Sequence, residues 1–255
     1  MTFTIFLPNY SHFSAGVAVL WKLGNILVDL GHETYYFNYS RERSPAPSFN
    51  KMHCLEDNIP KGVIVVPEVV QEILAPHVRW VLNKPGLIDG PKKYPEHCKI
   101  FHYNPDLEAS ARTAAADGQS TLFCLGICEK TAFNPDLKQY DLWYRGKYQG
   151  AVDLKNHEGS LQLTRYWPPT KEEYHDLLAR ARTLKSYDNF SSVLAEALLA
   201  GVEVKGYEGG EWREFVPSFD ITETVSDRDK DLRKVAMFVD EVAKWAALAN
   251  PPNFF

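Results

Sequence analysis

The chain opens with TFTIFLPNYSHFSAGVAVLWKLGNILVDLGHETYYFN, residues 2–38, and this stretch decides the fold class. Residues 2–7 are β-branched and aromatic and stop at the breaker Pro8-Asn9, which reads as a buried strand running into a loop. From Ala15 to Leu30 the apolar residues Val17, Leu20, Trp21, Leu23, Ile26, Leu27 and Leu30 recur every three or four positions. Gly31 then stands where a helix C-terminal cap belongs. His32 to Asn38 returns to strand-forming residues. Strand, loop, helix and strand in succession begin a parallel sheet covered by helices.

Working outward, the same grammar continues. Gly62–Val66, His77–Leu82 and Cys98–Tyr103 read as buried strands, with a helix-length segment around Val69–Leu74 between the first two. Arg41–Pro60 and Asn83–His97, broken by prolines, glycines and charge, read as loops. Residues 106–119, rich in alanine and charge, suit a helix or an inter-domain connection. The second half predicts strands at 121–125, 140–144, 160–164, 182–186 and 202–206, with helices at 171–181 and 190–200. From Asp227, an N-cap, a helix runs to Leu248 with Leu232, Val235, Phe238, Val239, Val242 and Trp245 on one stripe. The expectation is an α/β fold of two Rossmann-like domains, 1–118 and 119–226, with 227–255 packing on one or both.

Composition narrows the function classes. The 255 residues are 45% hydrophobic and 24% charged, an ordinary globular balance that excludes disordered and fibrous chains. No apolar run approaches the ~20 residues of a membrane helix, and Met1–Pro8 lacks the features of a signal peptide, so the expected location is the cytoplasm of a bacterium or a phage-infected cell. Cys54, Cys98, Cys124 and Cys128 lack the paired spacing of a structural zinc site and read as buried free thiols. Residues 1–118 hold 11 Lys and Arg against 12 Asp and Glu, and 119–255 hold 17 against 21, so neither half is basic enough to announce nucleic acid. One window differs: Arg79, Lys84, Lys92, Lys93 and Lys99 outnumber Asp89 and Glu96. It suits either a solvated loop or a phosphate-bearing ligand.

Open parallel sheets bind ligands at the carboxyl ends of their strands, where loops and helix N-termini converge. In the first half this selects Pro8–Gly16, including His12, then Pro67-Glu68, Asn83-Lys84 and His102-Tyr103-Asn104. In the second it selects Arg145-Gly146-Lys147, Thr164-Arg165 and Ser186–Ser191. There is no Walker sequence and no three-glycine dinucleotide fingerprint. Asp188 and Glu196 lie eight apart, the first just before a helix and the second within it, on the side facing the strand ends. A carboxylate accepts two hydroxyl hydrogen bonds at once, so this pair suits a ligand with several hydroxyls, and Arg145 and Lys147 would supply cations for its diphosphate. Each also has an ordinary use, Asp188 as a helix cap and Glu196 as a solvated residue. Asp227-Arg228-Asp229 matches a metal-binding Asp-x-Asp, but acids at a helix start answer the dipole and no metal is called for.

The stretch SYDNFSSVLAEALLAG, residues 186–201, resembles the donor-binding helix of GT-B glycosyltransferases of the family 4 or group 1 superfamily: an acid, seven residues, then glutamate. Residues 65–68, 78–86 and 163–173 agree in the same order, so the resemblance spans most of the chain, and it reads most like a compact bacterial or phage subgroup. It implies two Rossmann-like domains facing across a cleft, the donor in the second and the acceptor mainly in the first. Carried over, Glu196 holds the ribose hydroxyls; Asp188 with Asn189, Phe190 and Ser191 takes the sugar and phosphate; and Arg145 and Lys147 take the diphosphate. Gly16 borders that diphosphate, while Thr164 and Arg165 complete the donor set. His12, Glu68, Asn83 and Lys84 are acceptor-side candidates, and His102 joins Asp188, Arg145 and Lys147 as a catalytic one. The family's first acid is commonly Glu, and Asp188 is one methylene shorter.

The resemblance further implies a retaining transfer without metal from a nucleoside diphosphate sugar, a UDP-sugar ahead of a GDP-sugar, to a hydroxyl. A surface polysaccharide or O-antigen intermediate is the first acceptor expected. Two other readings stand beside it: a phage-type DNA glycosyltransferase acting on 5-hydroxymethylpyrimidines, and a non-catalytic protein that binds nucleotide sugars.

Overall fold

A computed structural model describes all residues except 12, 56–58, 72, 130–136, 165 and 250–255. The chain divides into two units: Met1–Ser11, Ala15–Gly126 and Ser226–Phe255 form the first, and His12–Ser14 with Ile127–Val225 the second.

In the first unit, strands β1 (Thr2–Leu7), β2 (Glu33–Asn38), β3 (His53–Cys54), β4 (Val63–Pro67), β5 (His77–Val81), β6 (Cys98–His102) and β7 (Thr121–Leu122) form one sheet in the order β3-β2-β1-β4-β5-β6-β7. Every neighbouring pair is parallel. The opening unit is as the periodicity predicts. Helix α1 (Ala15–Asp29) buries Leu20, Trp21, Leu23 and Leu27, and ends as His32 N donates to Leu27 O across Gly31, which takes a positive φ of 83°. The strands alternate their contacts: Ile100 packs with Ala111 and Ala114 of α2 (Glu108–Ala114), whereas Phe101 meets Phe238 at 4.9 Å.

The segment expected to be a helix around 69–74 contains no helix among its described residues. Its carbonyls find a partner other than a helix: the buried guanidinium of Arg79 donates to the carbonyls of Pro67, Val70 and Gln71 at 3.3, 2.7 and 3.3 Å. Arg79 is therefore interior, so the basic window loses its first member, and Lys99 pairs with Glu241 at 2.9 Å. Two short strands escaped the sequence reading, β3 and the later strand Glu211–Glu214, because two to four residues are too few to show a period. Cys54 is exposed, unlike the other three thiols, because it lies on edge strand β3.

The second unit has a sheet in the order β12-β11-β10-β8-β9, built from β8 (Tyr140–Tyr144), β9 (Leu161–Leu163), β10 (Ala181–Ser186), β11 (Glu203–Glu208) and β12 (Glu211–Glu214). The first four are parallel; β12 returns antiparallel through Gly209-Gly210, whose φ values of 60° and 93° suit a two-residue hairpin turn. Helices α3 (Lys171–Ala179) and α4 (Ser192–Leu199) bury Leu177, Leu178, Leu194 and Ala197 against Leu142, Leu163, Leu184 and Val204. Each such leucine is worth roughly 1.5–3 kcal/mol of apolar burial. Trp143, one residue out of phase with Leu142, stacks on His157 instead.

The first sheet runs past the boundary expected at 118, because β7 pairs with β6 and carries the unit to Gly126. Helix α5 (Arg228–Ala249) belongs to that unit too, with Val235, Phe238 and Val242 buried and Phe238 stacked on Phe123 at 4.5 Å. Asp227 accepts from Lys230 N at 2.9 Å, the N-cap bond that its position predicts. No helix among the described residues is long and apolar enough to cross a membrane.

Candidate functional site

Because β8, β9, β10 and β11 run parallel, their carboxyl ends share one edge of the second sheet. After β10 the chain is shaped by the buried Ser186, whose hydroxyl accepts from Asp188 N at 3.1 Å and donates to Asp188 O at 3.0 Å. Asp188 is thereby held beneath the turn that follows β8. Its Oδ2 accepts from Lys147 N at 3.1 Å and its Oδ1 from Phe190 N at 3.2 Å. Gly146 makes this approach feasible: it has a φ of 56°, and any Cβ there would overlap the Asp188 carboxyl. Asp188 in this arrangement ties two turns together, and Ser191, accepting from Val193 N, caps α4. Asn189 donates to Tyr207 O at 3.3 Å.

That scaffold presents cations. Arg145 is exposed, and its Nε donates to Tyr148 O at 3.2 Å. Lys147 is half-buried, and among the described residues neither side chain has a carboxylate partner. Most other cations of this unit are paired, as Lys171 is with Glu129 at 3.0 Å and Arg182 with Asp141 at 2.7 Å. Glu196 lies one turn into α4, half-buried, and burial pushes its carboxyl above the usual carboxylate range against the pull of Tyr174 and Lys171. The Tyr174 hydroxyl beside it is buried, and burial raises its pKa well above the usual tyrosine value. Thr164 follows β9 and accepts from Tyr166 N through its hydroxyl at 3.2 Å. Arg165 lies outside the described residues.

Sequence reasoning missed what braces this edge. Tyr148 stacks on Tyr187 at 5.1 Å, Tyr187 meets Tyr207 and Trp212 at 4.9 and 4.8 Å, and His157 Nε2 lies 2.9 Å from Tyr187 Oη. The six rings are scattered from Trp143 to Trp212, and only strand register gathers them. Gly146, set between two cations after a strand, was the one legible signal.

In the first unit, the candidates again collect at a carboxyl edge. Glu68, buried after β4, accepts from Leu82 N at 3.0 Å. Asn83, buried after β5, accepts from Lys84 N at 2.8 Å, and Gly16 opens α1 against the Leu82 side chain. His102 ends β6, buried, with Nδ1 2.8 Å from Ser120 Oγ, and burial lowers its pKa. His12 lies outside the described residues. Elsewhere, His77, His97 and Cys98 stand close enough to offer three ligand atoms. Burial takes His77 down to about 4, but Arg79 sits 3.3 Å from its Nε2 and opposes a cation there.

These two α/β units, built on largely parallel sheets with polar residues at their carboxyl edges, make a fold of GT-B type. Among solved structures the chain is similar to WaaG, described as a glycosyltransferase involved in lipopolysaccharide biosynthesis, with a TM-score of 0.53, 11% identity, and coverage of 97% of this chain and 94% of that one. No protein-family model and no curated protein matches the chain.

Proposed function

We propose that the chain is a glycosyltransferase that moves a sugar from a nucleoside diphosphate sugar to a hydroxyl. The reading rests on two cations lacking carboxylate partners, Arg145 and Lys147, in the turn after β8, and on a half-buried carboxyl, Glu196, one turn into the helix that follows β10. A diphosphate needs the first and a ribose diol the second. Asp188 holds the Lys147 turn at the start of α4, so the cations and the backbone donors there are preorganised for charge that grows on the leaving diphosphate. The bond between the anomeric carbon and the phosphate oxygen breaks while the acceptor oxygen bonds that carbon. The acceptor's proton passes to the departing phosphate, which suits a retaining reaction without metal.

A glycan of the cell surface is the preferred acceptor, in keeping with the lipopolysaccharide role in the neighbour's description. The DNA reading leaned on the basic window, and interior Arg79 and paired Lys99 leave that window with Lys84, Lys92 and Lys93. Calorimetry with UDP- and GDP-sugars, followed by mass spectrometry of lipid-linked glycans and hydroxymethylated DNA offered in parallel, tests the proposal. We expect micromolar donor binding that weakens at least ten-fold in Lys147→Ala and in Glu196→Ala, with mass gain on a glycan. Unaltered affinity in both variants would reject the site, and mass gain on DNA alone would replace the acceptor.

A further inference from the structure

At the amino edge of the first sheet, opposite the edge that carries Glu68, Asn83 and His102, two imidazoles and a thiol meet. His77 opens β5 and Cys98 opens β6 as register partners, and His77 N donates to the carbonyl of His97 at 3.3 Å. The rings of His77 and His97 stand 5.8 Å apart at 67°, and Cys98 Sγ lies 3.0 Å from His77 Nε2. One ligand atom from each of the three falls within 4.8 Å of the others, and no fourth His, Cys, Asp or Glu of the described residues joins them. Each ring has one nitrogen tied to a carbonyl: His77 Nδ1 donates to Ala75 O at 2.8 Å and His97 Nε2 to Ile73 O at 3.1 Å. A carbonyl only accepts, so those nitrogens carry the protons, and the lone pairs fall on His77 Nε2 and His97 Nδ1. Imidazoles that bind metals are held in this way, by a partner that fixes the tautomer and raises the basicity of the opposite nitrogen. Burial keeps His77 neutral, with its pKa down to about 4, while His97 is half-buried and leaves a way in from solvent.

We propose that His77, His97 and Cys98, through Nε2, Nδ1 and Sγ, form a three-coordinate site for a monovalent thiophilic ion, copper(I). The site is independent of the glycosyl-transfer reading. Arg79 opposes a cation at His77, and this decides the charge that the ion can carry. A divalent ion on one thiolate leaves a net positive charge in the interior beside a guanidinium nitrogen that lies 3.3 Å from His77 Nε2, whereas copper(I) and a thiolate cancel. Ligand number and type agree: structural zinc takes four protein ligands, while a thiolate with two imidazoles suits copper(I). On binding, the Cys98 thiol gives its proton to solvent and a copper–sulfur bond forms, with no electron changing hands. The ion takes the Nε2 lone pair from Arg79 Nη2, which still donates to Gln71 O at 3.3 Å, while Nη1 keeps the carbonyls of Pro67 and Val70. Once bound, it pins the end of the 83–97 loop to the starts of β5 and β6.

The test uses the full chain, reduced, stripped of metal and kept free of oxygen. Copper(I) is supplied as its coloured complex with bicinchoninate, and loss of colour counts the ions withdrawn. We expect one ion per chain, with one sulfur and two nitrogens around it in X-ray absorption spectra. Cys98→Ala weakens capture about 100-fold and His97→Gln about ten-fold, whereas Cys54→Ser, which removes the exposed thiol, leaves it within about two-fold. Circular dichroism checks that the variants fold, and the wild-type absorption spectrum decides the matter if Cys98→Ala does not. Zinc offered with a pyridylazo-resorcinol indicator stays on the indicator. A chain that withdraws no copper overturns the site. So does a coordination shell of sulfur alone, or capture that both the Cys98 and His97 variants leave unchanged, an adventitious ion only. Stoichiometric removal of zinc from its indicator overturns the charge argument, and with it the assignment to copper(I).

Discussion

At the scale of single residues, Gly146 and Glu196 show what the candidate site asks of the fold. Alanine at Gly146 meets both a left-handed backbone and the Asp188 carboxyl, so Gly146→Ala should cost roughly 2–4 kcal/mol in urea unfolding and loosen the Lys147 turn with it. Nucleotide-sugar affinity should fall in the same variant. Glu196 is the reverse case, a residue that the fold tolerates at a cost. Its native carboxyl titrates above its unfolded value, so the ionised form opposes folding. Stability from this group is greatest below the ordinary carboxylate range and is lost as pH rises through the raised native value. Glu196→Gln should therefore raise the melting temperature at neutral pH, with the gain vanishing in acid, while nucleotide-sugar binding weakens. A melting temperature that drops at neutral pH would show that the carboxylate is stabilising where it stands.

At the scale of elements, the crossover from β4 to β5 is the instructive departure. Its apolar spacing reads as helix, yet a helix would satisfy its own carbonyls, and here Arg79 does so from the neighbouring strand. The charge of Arg79 suggested a loop or a phosphate site because sequence cannot show that a cation's partners are backbone oxygens. Arg79→Met matches its length and leaves those carbonyls buried without donors, so a loss of about 3 kcal/mol or more is expected in chemical denaturation. Arg79→Lys should recover little, since an ammonium cannot span the same fork of acceptors. α3 and α4, by contrast, were expected at 171–181 and 190–200 and stand within those bounds, and at the start of α3 Thr170 and Glu173 exchange capping bonds of 3.1 and 3.2 Å.

At the scale of the whole molecule, the first unit is closed by the far end of the chain. Asp231 of α5, 1% exposed, accepts from Lys22 Nζ of α1 at 2.6 Å and from Gly126 N at 3.0 Å. Lys22, half-buried, also reaches Ser226 Oγ at 2.7 Å, so this one pair holds the places where the chain leaves the first unit and returns to it. Removing one partner strands the other charge. Asp231→Ala should cost about 3–5 kcal/mol in thermal or urea unfolding, and Asp231→Asn, which keeps an oxygen for Gly126 N, should cost less. Equal losses in the two variants would place the effect in packing and not in charge.

The βαβ opening, the parallel strands of both halves, the C-terminal helix and the Asp188–Glu196 spacing were all readable from residue order, because each is set by local periodicity or by caps within a few positions. The sheet edge of the second unit was readable as a set of residues following strands. Its bracing was not, since Tyr148, His157, Tyr187, Tyr207 and Trp212 meet only through register between strands far apart in sequence. Nor could residue order tell that Arg79 lies in the interior or that α5 belongs to the first unit. Those outcomes depend on long-range pairing and on burial. Periodicity says which face of an element is apolar, but only tertiary packing decides what that face meets and which polar atoms are left without a partner.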